Sequence, residues 1–333
     1  MLQELLKKVA AGDTLTAEES FAMTEGIAAG ETPAAAAGLL AALAIRGETV
    51  AELTGCTRCL RERMTAVPVR GKCADIVGTG GDGGRSFNIS TASALVAAGA
   101  GVRIAKHGNR AVSGKCGAAD VLEELGVSLE RSPEELARAV DANGIAFLFA
   151  RSLHPVMAKV APLRRELGIR TIFNLVGPLA NPARASAMVV GVCYEKLLRP
   201  FAEVLRNLGV ERAMIVHSGD GLDEISSLAP TRCVTLEKDG AIAEMTIEPA
   251  DLLRDPSLRT GTLAGGDRAE NSRILQAILA GRDRSAKRGA VLLNAAALCT
   301  VAGMGASLAE SLALAEKSID SGAALGKLKE MCE

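Results

Sequence analysis

The sequence is poor in aromatic side chains and carries no excess of either charge. Its 333 residues include no tryptophan, six phenylalanines and a single tyrosine, Tyr194. Aromatic platforms on which nucleic-acid bases could stack are therefore scarce. The 38 basic and 39 acidic residues give a net charge of -1. This balance argues against a general binder of nucleic acid or membrane surfaces, but it is compatible with a local basic pocket.

Long apolar runs and paired metal-ligand motifs are also lacking. No apolar run could span a bilayer, and the amphipathic start MLQELLKKVAAGDTLT lacks the apolar core and cleavage site of a signal peptide. We therefore expect a soluble, cytoplasmic protein with no membrane partner. Cys56 and Cys59 form one C-x-x-C pair, but no second pair or histidine pair follows at zinc-site spacing. Reduced cysteines on a helix are the favoured interpretation.

The residues up to about position 65 show only helical patterns. The run Thr16–Glu19 forms a capping box, which predicts a helix start. Thr32 followed by Pro33 predicts another start, with Thr32 as the cap. Helix should continue over 49–65 and break near Pro68.

Short apolar strands alternate with helices from position 73 onward, which predicts an α/β fold with a largely parallel sheet wrapped by helices. The predicted strands are Ala74–Val77, Val102–Lys106, Ile145–Phe149, Ala187–Gly191, Arg212–His217 and Cys233–Glu237. Helices are predicted over 90–99, 117–125, 132–142 and 195–208, and an Ala-rich helical tail over 267–332.

The segment 155–175 is helical again and interrupts this alternation. We expect it to pack back on the amino-terminal helices. Residues 1–70 with about 155–180 would then form a small all-helical domain. Residues 71–154 and 181–333 would form a larger α/β domain around a central, mostly parallel sheet.

A glycine-rich stretch follows the first predicted strand. Five glycines lie within Gly78–Gly84, with Asp82 among them, and a helix follows. Glycine lets the backbone approach a ligand closely, and successive N–H groups at a helix start can hold a phosphate. The stretch is not a Walker A loop and fits the dinucleotide fingerprint only loosely. The alternative is a flexible surface turn.

Two further loops and one helix carry charged groups that could bind an anion or a metal ion. Lys106–Lys115 follows the second strand and gathers cations, which suits an anion pocket, although charged loops are usually just solvated. Asp223 and Glu224 follow a glycine-rich turn and suit Mg²⁺, or equally a helix start that favours acids. Arg164 or Arg165 could hold a substrate carboxylate, whereas most helical arginines lie on the surface.

Together these motifs closely resemble the anthranilate phosphoribosyltransferase family, and the resemblance runs the length of the chain. The residues that carry it are Gly78–Asp82, Asn88–Thr91, Lys106–Arg110, Arg170–Leu179 and the pair Asp223 and Glu224. The resemblance implies a helical and an α/β domain joined by a hinge, and a homodimer formed through the helical domain. It also implies that 5-phosphoribosyl-1-diphosphate (PRPP) and anthranilate bind between the domains.

The resemblance also implies a role for each matching position. Ser90, Asp223 and Glu224 would bind Mg²⁺, the implied cofactor. Contacts to anthranilate would come from Gly78, Asn109 and Arg164, with His107 along its route. The PRPP site would comprise Gly78, Gly81, Asp82, Ser86, Asn88, Ile89, Ser90, Thr91, Lys106, His107, Gly108, Asn109, Arg110, Ala111, Val112, Ser113, Gly114 and Ala118. Gly114 and Ala118 replace serines that are common in the family, which could weaken PRPP binding.

The implied reaction is a displacement at ribose C1, in which the anthranilate amine attacks and diphosphate leaves. Electrostatic stabilisation and positioning would supply the catalysis, without a nucleophilic residue or a strong base. One alternative is a pyrimidine nucleoside phosphorylase, which would lack the Lys106–Arg110 motif and the paired acids. Another is a non-catalytic, nucleic-acid-binding relative, which should be basic and have lost its acidic motifs.

Overall fold

The computed structural model describes residues 1–80, 86–111 and 114–333. Four helices come first: α1 Leu2–Ala10, α2 Ala17–Ala28, α3 Pro33–Arg46 and α4 Val50–Arg63. The alternating part follows, with β1 Ala74–Gly78, α5 Ile89–Gly99, β2 Ile104–Gly108, α6 Ala118–Glu124, α7 Pro133–Asn143 and β3 Ile145–Phe149.

Helices then interrupt the alternation, as the sequence predicts: α8 Ala150–Leu153, α9 Pro155–Leu167 and α10 Ile172–Leu175. The sheet resumes with β4 Ala187–Gly191, α11 Leu198–Asn207, β5 Arg212–Ser218, β6 Thr231–Leu236 and β7 Ile242–Ile247. The remaining helices are α12 Pro249–Leu252, α13 Arg268–Leu279, α14 Ala286–Val301, α15 Leu308–Asp320 and α16 Ala323–Cys332.

Within the described residues, seven strands form one sheet in the order β3-β2-β1-β4-β5-β6-β7. The first five in that order run parallel, and β6 and β7 are antiparallel. This confirms the predicted α/β class and mostly parallel sheet. The strand β7 was not predicted from the sequence. It lies at the sheet edge with most of its side chains exposed, so it lacks the apolar run by which buried strands are recognised.

Helix starts follow local side-chain chemistry, with one exception. The Thr16 hydroxyl accepts the N–H of Glu19 and the Glu19 carboxylate accepts the N–H of Thr16, as in a capping box. The expected cap by Thr32 is wrong, because its side chain makes no capping hydrogen bond and its φ is 39°. Pro33 nevertheless begins α3, since its fixed φ suits the first helical position.

Two apolar cores cover the two faces of the sheet. Ile76 and Val189 pack with α5 and α14 on one face. Met188, Val190 and Ile215 face the other side, where their core continues into the amino-terminal helices. Alternate residues of a strand point to opposite faces, so the helical bundle and the sheet share one continuous core.

Polar contacts also tie helix α4 to the segments that precede β4 and β5. The buried guanidinium of Arg61 in α4 donates to the carbonyls of Leu179 (2.9 Å) and Leu208 (3.1 Å). Helix α9 packs against α2, α3 and α4. None of the described helices is long and apolar enough to cross a membrane.

Helix α4 lies directly on the backbone of α2 at Gly55. A Cβ at this position would lie 2.0 Å from the carbonyl oxygen of Ala17. We therefore expect Gly55→Ala to lower the free energy of unfolding by about 1–3 kcal/mol in urea denaturation, because the two helices must move apart. Gly326→Ala in α16 is the matched control, since no atom lies within 4 Å of the added carbon. It should raise stability by roughly 0.5–1 kcal/mol through helix propensity. Equal effects of the two substitutions would contradict the close packing of α4 on α2.

Candidate active site

The strand order places the candidate site at the carboxyl ends of β1 and β4. From β1 the chain proceeds to β2 and β3 on one side, whereas β4 leads to β5 on the other. Neighbouring parallel strands whose connections leave in opposite directions open a crevice at their carboxyl ends, where ligands bind in such sheets. Gly78 ends β1 and pairs with Gly191, which ends β4.

Asp223 lies directly against both of these glycines. A Cβ on Gly78 would be 2.3 Å from the Asp223 carboxylate, and one on Gly191 would be 1.6 Å from the Asp223 carbonyl oxygen. The carboxylate accepts the N–H of Gly80 at 2.7 Å. The glycines therefore let the acidic loop after β5, which carries Asp223 and Glu224, contact the start of the glycine-rich loop at Gly80.

The start of α5 contributes two side chains that are already fixed and one hydroxyl that is not. The amide group of Asn88 donates to the carbonyl of Cys116 (3.1 Å) and accepts from Asn271 (2.9 Å). Ile89 is buried in the core, so only its backbone can face a ligand. The Thr91 hydroxyl is buried and has no hydrogen-bond partner among the described residues. It therefore lacks the partner that a buried hydroxyl normally has.

Lys106 is a buried cation in the middle of β2. Its ammonium donates to the carbonyl of His107 at 3.0 Å. Burial lowers the pKa of this ammonium, while Asp75 and, more weakly, Glu224 act to raise it. Burial likewise raises the pKa of the Asp75 carboxyl, against the effect of Lys106. The acidic loop and the basic loop therefore interact electrostatically.

Asp120 bonds both ends of the segment from Ala111 to Gly117. One carboxylate oxygen accepts the N–H groups of Ala111 (3.0 Å) and Gly117 (2.9 Å), and the other accepts from Arg110. Burial acts to raise the pKa of this carboxyl, but the hydrogen bonds outweigh burial and lower it. Arg110 also bonds Glu123, so its charge is largely neutralised by α6. Its expected contact to PRPP stays a prediction.

His107 of β2 contacts His154, which follows α8. Nε2 of His107 lies 3.2 Å from Nε2 of His154, and both rings are buried. Burial lowers the pKa of His154 to about 4, and burial with the neighbouring His154 and Lys106 holds the pKa of His107 well below its ordinary value. Both rings are thus neutral at pH 7, one donating and one accepting the hydrogen between them.

Arg164 is a partly buried cation of α9. Its side chain is partly buried, and burial lowers its pKa. Among the described residues it forms no side-chain hydrogen bond and no ion pair. Arg165, the next residue, is exposed. Of the two arginines that the sequence leaves as alternatives, Arg164 is therefore the one withdrawn from solvent and still lacking a counter-charge.

The other predicted site residues fall into two groups. Gly81, Asp82, Val112 and Ser113 lie outside the described residues. The described ones have these positions: Ser86 pairs with Ala264, Ser90 is in the first turn of α5, Gly108 ends β2, Ala118 begins α6, and exposed Asn109 accepts the N–H of Arg110. Their roles at the site stay predictions. Gly114 is half-buried before α6.

Sequence reasoning missed four residues that shape the site: Asp75, His154, Asn181 and Gly191. Asp75 carries a signal that could have been used, because a carboxylate within an otherwise apolar strand calls for a buried partner. Arg170 belongs to the motif Arg170–Leu179, but no contact was predicted for it. Its guanidinium donates to the Gly80 carbonyl at 3.4 Å. These contacts join residues far apart in the chain, so spacing alone does not show them.

The acidic pair fits the Mg²⁺ that the sequence implies. Magnesium is usually bound by one or two carboxylates together with water and substrate phosphates, rather than by an all-protein cage. In the part of the chain that the structure describes, no cluster of three or more His, Cys, Asp or Glu could hold a metal. Asp223, which is bound to the N–H of Gly80, and the adjacent Glu224 offer two carboxylates of the kind that Mg²⁺ prefers.

The fold and site together define an α/β domain with a ligand crevice at the carboxyl ends of its strands, beside a helical bundle. Residues 3–64 match the helical bundle domain of a glycosyl transferase family, and residues 70–325 match the α/β domain of such a family. The chain is 48% identical to the anthranilate phosphoribosyltransferase of Thermomicrobium roseum, an alignment that covers 99% of this chain and 96% of that protein. This chain belongs to the anthranilate phosphoribosyltransferase family.

Solved structures of the family share the fold throughout. The enzyme from Thermus thermophilus superposes with a TM-score of 0.90 at 42% identity, over 98% of both chains. The Saccharomyces cerevisiae enzyme, solved in complex with PRPP and Mg, gives a TM-score of 0.88 at 26% identity. The latter match covers 99% of this chain and 96% of the yeast chain.

The buried, neutral His154 predicts sensitivity to acid. An unfolded histidine takes up its proton near pH 6.5, whereas the folded pKa of His154 is about 4. Between these values the unfolded chain binds more protons, so stability falls as the pH falls. We expect this group to lower the free energy of unfolding by ~3 kcal/mol between pH 7 and pH 4. Urea denaturation at each pH measures the effect, and His154→Asn should weaken the pH dependence by about that amount. An unchanged pH dependence in the variant would show that His154 is not held neutral.

Proposed function

We propose that this chain transfers the phosphoribosyl group of PRPP to the amine of anthranilate, forming N-(5-phosphoribosyl)anthranilate and diphosphate in tryptophan biosynthesis. The observation that carries the proposal is the meeting of the glycine-rich loop and Asp223 at the carboxyl ends of β1 and β4. Backbone donors and carboxylates side by side are what a magnesium diphosphate requires. The near-full-length similarity to named anthranilate phosphoribosyltransferases gives independent support.

PRPP is proposed to lie along the glycine-rich loop, the α5 start and the basic loop. The free Thr91 hydroxyl and the N–H groups at the start of α5 would bind a phosphate, with the helix dipole favouring its charge. Ser90, Asp223 and Glu224 would hold Mg²⁺, which neutralises charge on the diphosphate leaving group. Lys106 adds a positive charge from the side of β2.

Anthranilate is proposed to bind near α9, with its carboxylate on Arg164. A partly buried guanidinium without a partner is a site for an anion, because a bidentate pair would restore the hydrogen bonds lost on burial. Asn109, Gly78 and the neutral ring of His107 would line the remaining contacts. A neutral imidazole suits a position beside an aromatic amine, since it adds no charge that would repel the developing positive charge.

The chemistry we propose is a direct displacement at ribose C1. The aromatic amine is unprotonated at neutral pH, so no side chain needs to act as a strong base. The protein's part is to hold amine and C1 in contact and to stabilise charge as it develops on the diphosphate and the ribose. Lys106 and the N–H groups at the start of α5 are held by the fold before substrate binds, and such preorganised donors lower the barrier most effectively.

We further propose the domain division 1–70 with about 155–180, against 71–154 with 181–333. The packing of α9 on α2, α3 and α4 supports it. We also propose that the chain works as a cytoplasmic homodimer through its helical domain. Ile45 on α3 supports a dimer contact on the helical domain, because this aliphatic side chain is 87% exposed.

A fluorescence assay tests the activity. Purified protein with PRPP and Mg²⁺ should deplete the fluorescence of anthranilate and release diphosphate, and omitting PRPP or Mg²⁺ should abolish both signals. No depletion, with neither anthranilate nor PRPP bound, would overturn the proposed function. Phosphorolysis of pyrimidine nucleosides and binding to nucleic acid are then the activities to assay in its place.

The role of Arg164 is tested separately from the activity as a whole. Arg164→Ala should raise the KM for anthranilate by about tenfold or more, because a charge-assisted pair to the carboxylate is lost. The KM for PRPP should change little. Arg165→Ala is the matched control on the same helix and should leave both constants near those of the wild type. An unchanged KM for anthranilate in Arg164→Ala would rule out this role.

A further inference from the structure

Strands β1 and β2 separate toward the candidate site. They pair at a single position, Ala74 with Ile104. By contrast, β1 and β4 pair from Ala74 to Gly78, and β2 and β3 pair from Ile104 to Gly108. The sheet therefore opens between β1 and β2 at the end that faces the crevice. The pairings of β1 with β4 and of β2 with β3 stay complete.

Two buried polar side chains fill this opening. The Asp75 carboxylate accepts the N–H of His107 (3.1 Å) with one oxygen and the side-chain amide of Asn181 (2.8 Å) with the other. Asn181 also donates to the carbonyl of Ala105 at 2.8 Å. Both side chains are completely shielded from solvent. They thus satisfy the two backbone groups of β2 that a regular pairing with β1 would have satisfied.

Satisfying strand β2 with buried polar side chains costs more free energy than a regular strand pairing would. A buried carboxylate loses its hydration, and an ordinary backbone ladder would satisfy the same groups without burying charge. The opening has a local result, however. It fixes the peptide plane between Lys106 and His107, and it places a negative charge beside the buried Lys106.

We propose that Asp75 and Asn181 act as a positioning pair for PRPP binding, holding β2 away from β1 so that Lys106 and the loop after it meet the substrate in the correct place. The inference rests on the proposed function. Neither side chain is proposed to touch substrate, so both are positioning residues. Their effect is transmitted through the backbone of His107 and the carbonyl of Ala105.

Asp75→Asn is the first test. An asparagine can still accept the N–H of His107, but its amide group then faces the amide group of Asn181, so two donors oppose each other. Asn181 can relieve this only by turning away from Ala105. We expect the KM for PRPP to rise about tenfold or more, the size of effect associated with a lost hydrogen bond to a charged group. A merely structural role would reduce the folded fraction and kcat and leave this KM unchanged.

The double variant Asp75→Asn with Asn181→Asp provides a rescue. It exchanges donor and acceptor, so the bond between the two side chains re-forms and the N–H groups of His107 and Ala183 keep acceptors. The Ala105 carbonyl loses its donor and then faces a carboxylate oxygen, so the rescue is partial. The KM for PRPP should fall between the values of the wild type and of Asp75→Asn. A KM equal to or above that of Asp75→Asn would overturn the pairing.

Glu52→Gln is the matched control for changing a buried carboxylate to an amide. Glu52 is fully buried in the helical bundle, where it accepts the N–H groups of Leu15 (2.9 Å) and Thr49 (2.8 Å). Its loss should lower thermal stability and leave the KM for PRPP unchanged. An equal rise of this KM in Glu52→Gln and Asp75→Asn would show a general effect of instability, and the proposal would fail.

A substrate-free measurement separates this proposal from the proposed function. The chain has three histidines, so their NMR ring signals can be assigned by single substitution. Asp75→Asn should shift the backbone amide and ring signals of His107, and Glu52→Gln should not. These shifts are expected even if the wild type proves inactive with anthranilate, and their absence would overturn the positioning role. Should Asp75→Asn not fold, Asn181→Ala, which keeps the charge, should shift the same signals and raise the same KM, and unchanged values would overturn the proposal.

Discussion

The close seating of Asp223 on two strand-end glycines is the contact on which the site depends. A side chain at Gly78 or Gly191 would occupy space that Asp223 already fills, so the acidic loop could not reach the N–H of Gly80. The sheet order places β1 and β4 side by side, and glycine at the end of each lets a third segment lie across them. Acidic and amide groups thereby come within bonding distance although 143 positions separate Gly80 from Asp223.

The cations near this contact differ in how far nearby acids already neutralise them. Arg110 is bonded by two acids of α6, and Lys106 is influenced by Asp75 and Glu224. Arg164 has no counter-charge among the described residues and is partly withdrawn from water. A cation that is already paired has a structural role. A desolvated cation without a partner gains more free energy when it binds an anion, because the pair restores hydrogen bonds lost on burial.

Local patterns allowed most of the fold to be predicted, and long-range contacts explain what was missed. The capping box at Thr16 and the apolar run of β4 are signals carried by neighbouring residues. The edge strand β7 lacks such a run because solvent covers it, and Thr32 follows the cap rule in sequence while its backbone takes a left-handed conformation. In the site, the glycine-rich and acidic motifs could be recognised individually. The pairing of Asp75 with Asn181 and of His107 with His154 depends on tertiary folding, which spacing along the chain does not encode.

The carboxylate of Asp120 has a consequence for how the basic loop can change. Because Ala111 and Gly117 donate to the same oxygen, the two ends of the segment between them are fixed a short distance apart, and Gly117 has no room for a side chain against Ala111. The entropy of closing a loop grows only slowly with its length. A change in the number of residues between these ends therefore adds little to the free-energy cost of folding, because the closure at Asp120 is kept. What limits the residue types there is the proposed contact with PRPP and not the stability of the sheet or of α6.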